Sequence, residues 1–556
     1  MTARVWFNGI GALFAGLLLF GCSPTAREDG DSQTNWLEAC REDSKCPSGK
    51  KCLCGVCTIA CSVPSTCSSF QQASCIGASE NGAIVQCGGN PPPAPGLCLP
   101  RCADDGDCSR TQACVAGVCS PLPATPVDVN IDLDTRHQDL VGFGASVAYG
   151  EGQITGHPQQ AALYKDIFNV LGLDILRFRN RYQHTGDDDL STAGELVAAG
   201  NSALGRPLGV FLSSWSPPAA LKANNALVCS GNVQTCTLAK TPAGAFDYAG
   251  LADYWLNSLG AYAKVGLVPD YMGLQNNANW IPSSAESNEA CKFLPSEGTV
   301  SVPLGATSVK VSYPGLAQAQ AATLDALSTL ATRPKLLAPE TSDFGSVADY
   351  VPSLDASKTD ALAHQLYGVN PVAVDLDGLA AMAKLVSQFG RPVFVTEMQA
   401  DGFGTAVLIH YATVVEGASA YLQTALTGPV SGPLTNTQAL FGIDSASYKL
   451  QDPFHAMRHF AGHTDPGWTR VEASAASGLL VSAWQSPSGQ DLTLVLINSR
   501  AVELSARLKL PGDWSSSEVT RSVFSGIERS SVLGPLSTQG VIRLPPESVA
   551  TVALSR

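Results

Sequence analysis

The sequence predicts an α/β protein with a (β/α)8 TIM barrel, an all-β sandwich side domain and an N-terminal disulfide-rich repeat region. Three observations lead to this prediction. Apolar strand-like runs alternate with helical patterns through residues 141–465, helical patterns then disappear, and 14 of the 18 cysteines lie between residues 40 and 119. Alternating strands and helices are typical of a parallel sheet, whereas successive strands without helices are typical of antiparallel sheets.

Eight short apolar runs, several rich in β-branched residues, are the predicted barrel strands. Between them, stretches such as Gln159–Leu171, Asp247–Lys264 and Asp377–Gln388 show helical periodicity. Eight strand–helix units over roughly 290 residues fit the usual size of one barrel. The predicted strands are Leu140–Ala145, Ile175–Arg179, Gly209–Ser213, Tyr271–Gln275, Lys335–Ala338, Ala361–Gln365, Val393–Thr396 and Ala418–Leu422.

Composition changes along the chain set the expected domain boundaries. They are a lipoprotein signal peptide at 1–21, a polar tether at 22–39, tandem Cys-rich disulfide repeats at 40–119, a Pro-rich linker at 120–126, a strand at 127–140 that joins the side domain, the barrel at 141–465 and the β-sandwich at 466–556. The expected sandwich strands are Leu479–Gln485, Leu492–Asn498, Val502–Leu510 and Val549–Leu554.

The first 22 residues have the pattern of an export signal. Arg4 supplies a positive charge, and the apolar run Val5–Phe20 is too short for a membrane span. The run ends in LFGC at Cys22, which resembles a bacterial lipobox and predicts a lipidated cysteine that anchors the protein to the outer membrane or cell surface. The residue after Cys22 is Ser23 and not Asp, which resembles the outer-membrane sorting pattern of lipoproteins in two-membrane bacteria. The alternative is an ordinary signal peptide with a chance cysteine.

The cysteines between residues 40 and 119 repeat one spacing, which predicts three tandem modules. Two sets have five, five and four intervening residues, and a third has longer loops: these are Cys40, Cys46, Cys52 and Cys57; Cys102, Cys108, Cys114 and Cys119; and Cys61, Cys67, Cys75 and Cys98. Export favours disulfides in so small a region, and the absence of His there disfavours zinc knuckles.

Besides Cys22, five cysteines lie outside the repeated spacing. Cys54 and Cys87 remain to pair with each other inside the repeat region. Farther along, Cys229 and Cys236 bracket a short loop and are expected to pair. Cys291 is then left unpaired or bonded to a cysteine outside the repeats.

Charge and histidine distribution narrow the classes of ligand. The net charge is −14, which disfavours nucleic acid as a partner, since phosphate binding needs a basic surface. It suits a neutral substrate such as a polysaccharide. The eight histidines are scattered without ligand spacing, so no metal site and no cofactor are predicted.

The stretch RPVFVTEM, from Arg391 to Met398, contains the main candidate catalytic residue. Its apolar run ends at Glu397, and a carboxylate at the carboxyl end of a barrel strand is where such folds keep catalytic groups. The alternative is a structural carboxylate that caps a helix or pairs with an arginine. Polar and aromatic residues follow several other predicted strands at the same end, which favours the catalytic interpretation.

An ordered set of motifs over residues 127–556 resembles glycoside hydrolase family 30. They are QDLVGFGAS at Gln138, LGLDILRFRNRY at Leu171, SSWSPPAALKANN at Ser213, DYMGLQNNANW at Asp270, LLAPET at Leu336, LYG at Leu366, VFVTEM at Val393 and LPPESVATVAL at Leu544. The resemblance implies a retaining glycosidase whose nucleophile is Glu397, with a side domain built from both ends of the barrel chain. It implies glycan contacts for Trp215, Asn276, Trp280 and Tyr367.

The sequence departs from the family at the acid/base position. The family pattern resembles Gln-Asn-Glu-Pro, but this chain has Gln275-Asn276-Asn277-Ala278. The side-chain amide of Asn277 neither protonates a leaving oxygen nor deprotonates water. Two further departures are Gln365 where the family has His, with His364 one place earlier on the opposite strand face, and Leu422 where it often has Trp.

Two functions remain open on this sequence. One is an active glycosidase that takes its proton from another carboxylate, with Glu286, Glu289 and Glu340 as candidates; Glu340 is the one more simply explained as a structural group. The other is a catalytically inactive carbohydrate-binding protein, in which aromatic side chains at strand ends stack on sugars. These aromatics are Trp215, Trp280, Tyr149, Tyr182 and Tyr367, and rim packing is the alternative role for each.

Overall fold

The computed structural model describes residues 43–46, 49–53, 56–68, 73–76, 96–102, 112–115, 118–121, 126–283, 286–304, 307–429, 438–476, 478–536 and 540–556. The predicted signal peptide, the predicted lipidation site Cys22 and four cysteines of the Cys-rich region, Cys40, Cys54, Cys87 and Cys108, lie outside these residues.

The Cys-rich region repeats a two-stranded antiparallel hairpin in which the third and fourth cysteines of each set lie opposite each other. The pairs in register are Cys52 with Cys57, Cys75 with Cys98, and Cys114 with Cys119. Disulfides link Cys46 to Cys57, Cys61 to Cys75 and Cys67 to Cys98. The strands are β1 (Lys51–Leu53), β2 (Val56–Thr58), β3 (Ala73–Ile76), β4 (Leu97–Pro100), β5 (Gln112–Val115) and β6 (Val118–Pro121).

The barrel closes from eight parallel strands that neighbour each other in chain order, and the last pairs with the first. They are β8 (Gly142–Ser146), β9 (Ile175–Arg179), β10 (Gly209–Ser213), β12 (Tyr271–Gly273), β16 (Lys335–Thr341), β17 (Ala361–Gln365), β18 (Val393–Glu397) and β19 (Ala420–Gln423). Three of the predicted strands have the observed bounds. The fourth strand is two residues shorter than predicted and the fifth three residues longer, because β16 continues through a register shift at Pro339.

The helices pack outside the barrel and bury its outward-facing apolar side chains in one large core. They are α1 (Glu151–Thr155), α2 (Gln160–Tyr164), α3 (Ser191–Leu204), α4 (Tyr248–Lys264), α5 (Leu316–Leu327), α6 (Val347–Tyr350), α7 (Leu376–Phe389), α8 (Gly402–Tyr411) and α9 (Asp452–Ala461). The expected helix Gln159–Leu171 is α2 followed by a π-helical segment, Lys165–Val170. Ala412–Glu416 is a second π-helical segment, after α8.

The side domain is one nine-stranded sheet that curls so that its two halves share a core. Along the strands Leu479–Gln485 and Asp491–Asn498, successive side chains face this core and the barrel helices alternately. This two-sided burial explains why Leu492–Asn498 is apolar on both faces. Its strands are β7 (Val127–Asp139), β23 (Thr469–Ala475), β24 (Leu479–Gln485), β25 (Asp491–Asn498), β26 (Leu504–Lys509), β27 (Ser515–Val523), β28 (Ser531–Val532), β29 (Val541–Leu544) and β30 (Ser548–Ser555).

Strand β7 lies between β23 and β26, so the residues before the barrel complete the sheet formed by the residues after it. The predicted fold class is therefore confirmed: a closed eight-stranded barrel, a sheet-rich side region and clustered N-terminal disulfides. Within the described ranges, no helix is both long and apolar enough to cross a membrane.

Loops at the carboxyl end of the barrel carry three small sheets. These are β11 (Val228–Cys229) with β13 (Asn288–Glu289), β14 (Gly298–Leu304) with β15 (Thr307–Tyr313), and β20 (Thr427–Pro429) with β21 (Phe441–Ile443) and β22 (Tyr448–Leu450). Short 3-10 turns lie at Asp43–Lys45, Pro64–Cys67, Ala219–Leu221 and Val351–Ser353. The expected disulfide between Cys229 and Cys236 is present, and Cys291 is a buried free thiol.

Candidate active site

A fully buried arginine, Arg177 in β9, lies at the centre of the site and binds three acceptors. Its Nη1 donates to Oε2 of Glu397 at 2.7 Å, and its Nη2 donates to Oδ1 of Asn276 at 2.7 Å and to Oε1 of Glu340 at 2.5 Å. The planar guanidinium suits such a fork of contacts. It ties strands β9, β16 and β18 and the loop after β12 into one constellation.

Glu397 is the last residue of β18, and its carboxylate is fixed from two sides. Tyr367 donates its hydroxyl proton to Oε1 at 2.6 Å, while Arg177 and Gln365 donate to Oε2, the latter at 3.2 Å. Burial, reinforced by the Glu397 charge, raises the pKa of Tyr367, so the phenol remains a donor. Glu397 keeps 6% of its surface exposed.

Glu340 lies inside the barrel beneath Arg177. It is 1% exposed, and Ser213 donates to its two carboxylate oxygens at 3.0 and 2.9 Å. A Cβ at Gly273 would lie 1.9 Å from Oε2 of Glu340, so the neighbouring strand needs glycine there. Burial raises the pKa of Glu340, and the Arg177 guanidinium opposes that rise. We interpret Glu340 as the group that positions Arg177; with its oxygens committed, it is poorly placed to protonate a leaving group.

The two asparagines after β12 differ in their surroundings. Oδ1 of Asn276 accepts from Arg177 and, at 2.6 Å, from Nε2 of Gln365. Asn277 adopts a left-handed backbone, φ +53°, and its amide N–H donates to the carbonyl of Glu340 at 3.0 Å. Its side-chain Oδ1 is buried without a hydrogen-bond partner among the described residues. An unpartnered buried acceptor at the predicted acid/base position is consistent with a group that contacts ligand.

The aromatic candidates separate into two groups. The indole of Trp215 stacks on Arg177, with the guanidinium carbon 4.2 Å from the ring centroid, and Tyr367 binds Glu397 directly. Trp280 packs instead against the cluster around the Cys229–Cys236 disulfide, and Tyr182 stacks on Tyr254. The structure therefore brings Trp215 and Tyr367, but not Trp280 or Tyr182, into contact with the Arg177 constellation.

The two loop carboxylates also differ in position. Glu286 is exposed and accepts from the backbone N–H of Ser283 at 3.2 Å. Glu289, in β13, accepts at Oε1 from Nη1 of Arg179 at 2.6 Å, and burial raises its pKa. Arg179 lies two residues beyond Arg177 on β9. Glu289 therefore lies at the mouth of the barrel, whereas Glu286 has no contact with the site residues described above.

No family model and no curated protein matches the sequence. Several solved structures are nevertheless similar to this chain in fold. The catalytic domain of GH30 xylanase C from Talaromyces cellulolyticus superposes with a TM-score of 0.58 at 17% identity, covering 77% of this chain and 100% of that one. The subfamily 8 xylanase Xyn30A from Clostridium acetobutylicum gives 0.55 at 22% identity, with the same coverage. The endo-beta1,6-glucanase BT3312 gives 0.56 at 11% identity, covering 78% and 96%.

The chain has the glycoside hydrolase family 30 fold. In this fold Glu397 ends the seventh barrel strand and Asn277 follows the fourth, so both residues lie at the carboxyl end of the barrel. Gln365 points inward to Glu397, while His364 points outward to Oε1 of Glu416 at 2.5 Å, as strand alternation predicts. Leu422, which stands where the family often has Trp, is buried inside the barrel.

Sequence reasoning missed the residues that organise this site, namely Arg177, Ser213 and Gly273. A signal was present in β9, where Arg177 and Arg179 alternate within an otherwise apolar strand and continue to Arg181. Charged residues at every second position of an otherwise apolar strand indicate an inward-facing functional row.

Proposed function

We propose that this protein is a glycoside hydrolase that cleaves β-linked glycans by a retaining mechanism, with Glu397 as nucleophile. The observation that carries the proposal is the Glu397 carboxylate itself. It is oriented by Arg177 and Tyr367, ends a barrel strand and keeps 6% of its surface exposed. The glycosidases among the similar structures support a carbohydrate substrate.

In the first step, a Glu397 oxygen forms a bond to the anomeric carbon while the bond to the leaving oxygen breaks. The leaving oxygen needs a proton, and in the second step the attacking water must lose one. Asn277 supplies neither proton transfer. A glycoside with a leaving group that departs as an anion bypasses the first requirement, so the glycosyl-enzyme is expected to accumulate.

A second candidate function is a carbohydrate-binding protein without turnover. It is favoured by Asn277 at the acid/base position and by Glu340, whose oxygens are bound by Arg177 and Ser213. Under this alternative the Trp215 indole and the Arg177 constellation hold sugar hydroxyls and ring faces without bond cleavage.

We also propose that the mature protein is exported and anchored by a lipid on Cys22, at the outer membrane or cell surface. The lipobox order of Leu19 to Cys22 supports this proposal. The disulfides of the Cys-rich region also fit an oxidising compartment. The repeats would then separate the barrel from the membrane surface.

Covalent labelling tests the enzymatic proposal. The mature protein is incubated with 2-fluoro β-xylosides and β-glucosides that carry a dinitrophenyl leaving group, and labelled peptides are sequenced by mass spectrometry. We expect one label, on Glu397, and none on the matched Glu397→Gln variant. A label on another carboxylate would overturn the nucleophile assignment. No label on either form, together with retained glycan affinity that falls in Trp215→Ala, would establish the binding function instead.

A further inference from the structure

Four of the eight histidines of the chain lie where the barrel helices meet the side domain. One is in α8, two are in α9, and the fourth lies two residues after the end of α9. Each contacts a serine or threonine hydroxyl of the side domain, through its ring or through its backbone carbonyl. We call this set the histidine joint, and its members are His410, His455, His459 and His463.

The contacts of His459 fit a neutral ring. Thr551 in β30 donates its hydroxyl proton to the carbonyl of His459 at 2.8 Å, so the same hydroxyl can only accept from Nδ1 of the ring, also at 2.8 Å. Nδ1 therefore carries the proton of the neutral imidazole, and Nε2 accepts from the hydroxyl of Ser522 in β27 at 2.9 Å. A proton added to Nε2 would reverse this hydrogen bond. The Ser522 hydroxyl, which already accepts from the N–H of Ser530 at 2.8 Å, would then lose the acceptor for its own proton.

His410 and His455 each place one ring nitrogen against a side-domain hydroxyl. Nδ1 of His410 lies 3.2 Å from Oγ of Ser482 in β24, and Nδ1 of His455 lies 2.9 Å from Oγ of Ser530. His410 is buried and His455 is half-buried. A hydroxyl carries no formal charge, so it compensates a buried imidazolium much less than a carboxylate does.

His463 binds the side domain through its backbone. Its carbonyl accepts from the hydroxyl of Thr493 in β25 at 2.7 Å, while Nε2 of its ring is buried without a hydrogen-bond partner in the part of the chain that the structure describes. A proton on that nitrogen would be a buried donor without an acceptor, which is costly.

The charges that face the joint also oppose protonation of most of its rings. Arg458 faces the three histidines of α9 and its following turn, Arg470 faces His410, and Arg529 faces His455. The facing carboxylates are Asp452 at His455 and Glu518 at His463, and Asp452 is itself bound by Arg529 at 2.7 and 2.9 Å. Burial, reinforced by the cations, lowers the pKa of His410 to about 3, of His455 and His463 to about 4, and of His459 well below its ordinary value.

The joint is packed against the chain segment that follows Glu397. Helix α8, which contains His410, begins at Gly402, just after the loop that follows β18. A Cβ at Gly402 would lie 2.5 Å from Cβ of Asp452 in α9 and 2.6 Å from Cε1 of Phe524 in the side domain. Separation of the side domain would therefore remove the packing that holds the start of α8, the helix next in the chain to Glu397.

We propose that the histidine joint is an acid-operated switch, which holds the side domain on the barrel while its imidazoles are neutral and releases it when they take up protons. The folded-state pKa values lie below the ordinary value of 6.5, so the stabilisation is complete above pH 6.5 and is lost as the pH falls through about 4. In that window, each ring that gains a proton on opening favours the open form about tenfold more per pH unit. The switch would operate in a glycosidase and in a glycan-binding protein alike.

Hydrogen exchange measured by mass spectrometry on the mature protein tests the switch between pH 7 and pH 4, after correction for the intrinsic pH dependence of exchange. We expect peptides that cover α8, α9 and residues 522–530 to lose protection on acidification, while the barrel strands β9 and β10 keep theirs. In the double variant His410→Gln, His459→Gln, the amides still bind hydroxyls but do not titrate. Because two of the four titrating rings are gone, the pH midpoint of the loss should fall by about one pH unit.

His157→Gln is the matched control, since His157 is a buried histidine whose contacts lie within the barrel. Its Nδ1 accepts from the N–H of Gln159 at 3.0 Å, and its ring packs on Tyr448. If the double variant does not fold, the half-buried His455→Gln takes its place, with a smaller shift in the same direction. The switch is overturned if the parent keeps its protection at pH 4, or if barrel and joint lose protection together. An unchanged midpoint in the folded variants, or an equal shift in His157→Gln, would also overturn it.

Discussion

Asn277→Glu places a carboxyl group at the proposed acid/base position and is the sharpest test of the proposed chemistry. The Asn277 side chain lies where its Oδ1 has no protein partner among the described residues, so a carboxyl there is free to donate to ligand. We expect turnover of natural or poor-leaving-group β-glycosides to rise ~10²–10⁴-fold, the usual size of general acid/base help. Activated dinitrophenyl glycosides should gain less in their first step, because their leaving group needs no proton.

The backbone sets the cost of this substitution. Asn277 has φ +53°, a conformation that Asn tolerates better than Glu. A left-handed residue costs roughly 1–2 kcal/mol, so we expect a loss of about 1 kcal/mol of unfolding free energy. That loss is small beside the usual 5–15 kcal/mol of domain stability, so the variant should remain folded.

The assay compares kcat/KM for aryl β-glycosides whose leaving groups differ in pKa. Asn277→Gln is the matched control, since it has the size of Glu and meets the same backbone strain without an acidic group. The expected result is a flattened dependence on leaving-group pKa in Asn277→Glu alone. If the parent already hydrolyses polysaccharide well and both variants behave alike, another residue is the acid, and Glu289 becomes the first candidate.

Three further predictions concern Gly273, Asp174 and Cys22. Gly273→Ala should displace Glu340, slow labelling of Glu397 and cost about 1–3 kcal/mol from overpacking, while Gly260→Ala, whose added Cβ meets no atom, should not. Burial raises the pKa of Asp174 from 3.8 to about 7. The contribution of Asp174 to folding stability is therefore complete below pH 3.8 and is lost as the pH rises through 7. Asp174→Asn should flatten the pH dependence of the urea unfolding midpoint between pH 4 and 8, and an unchanged slope would contradict this assignment. Cys22→Ser should release the protein from the membrane fraction, and sedimentation like that of the parent would exclude the lipid anchor.

The sequence by itself determined the architecture, because architecture depends on periodic patterns. Strand and helix periods identified the eight barrel strands and placed a side-domain strand at Leu492–Asn498. Cysteine spacing identified the repeats, and the loop between Cys229 and Cys236 indicated their disulfide. Alternation of strand faces also separated Gln365 from His364 from the sequence alone, and the structure places them on opposite faces.

Only the tertiary structure decided which side chains act together. Arg177 and Glu397 are 220 residues apart in the chain, and their contact arises when the barrel closes. The role of Glu340 depends on Gly273 and Ser213 from two neighbouring strands, which no local pattern connects. The structure also shows that Trp280 lies away from the site and that a cavity lies beside Arg179. The sequence could not indicate either feature, because packing between distant loops sets where each side chain can lie.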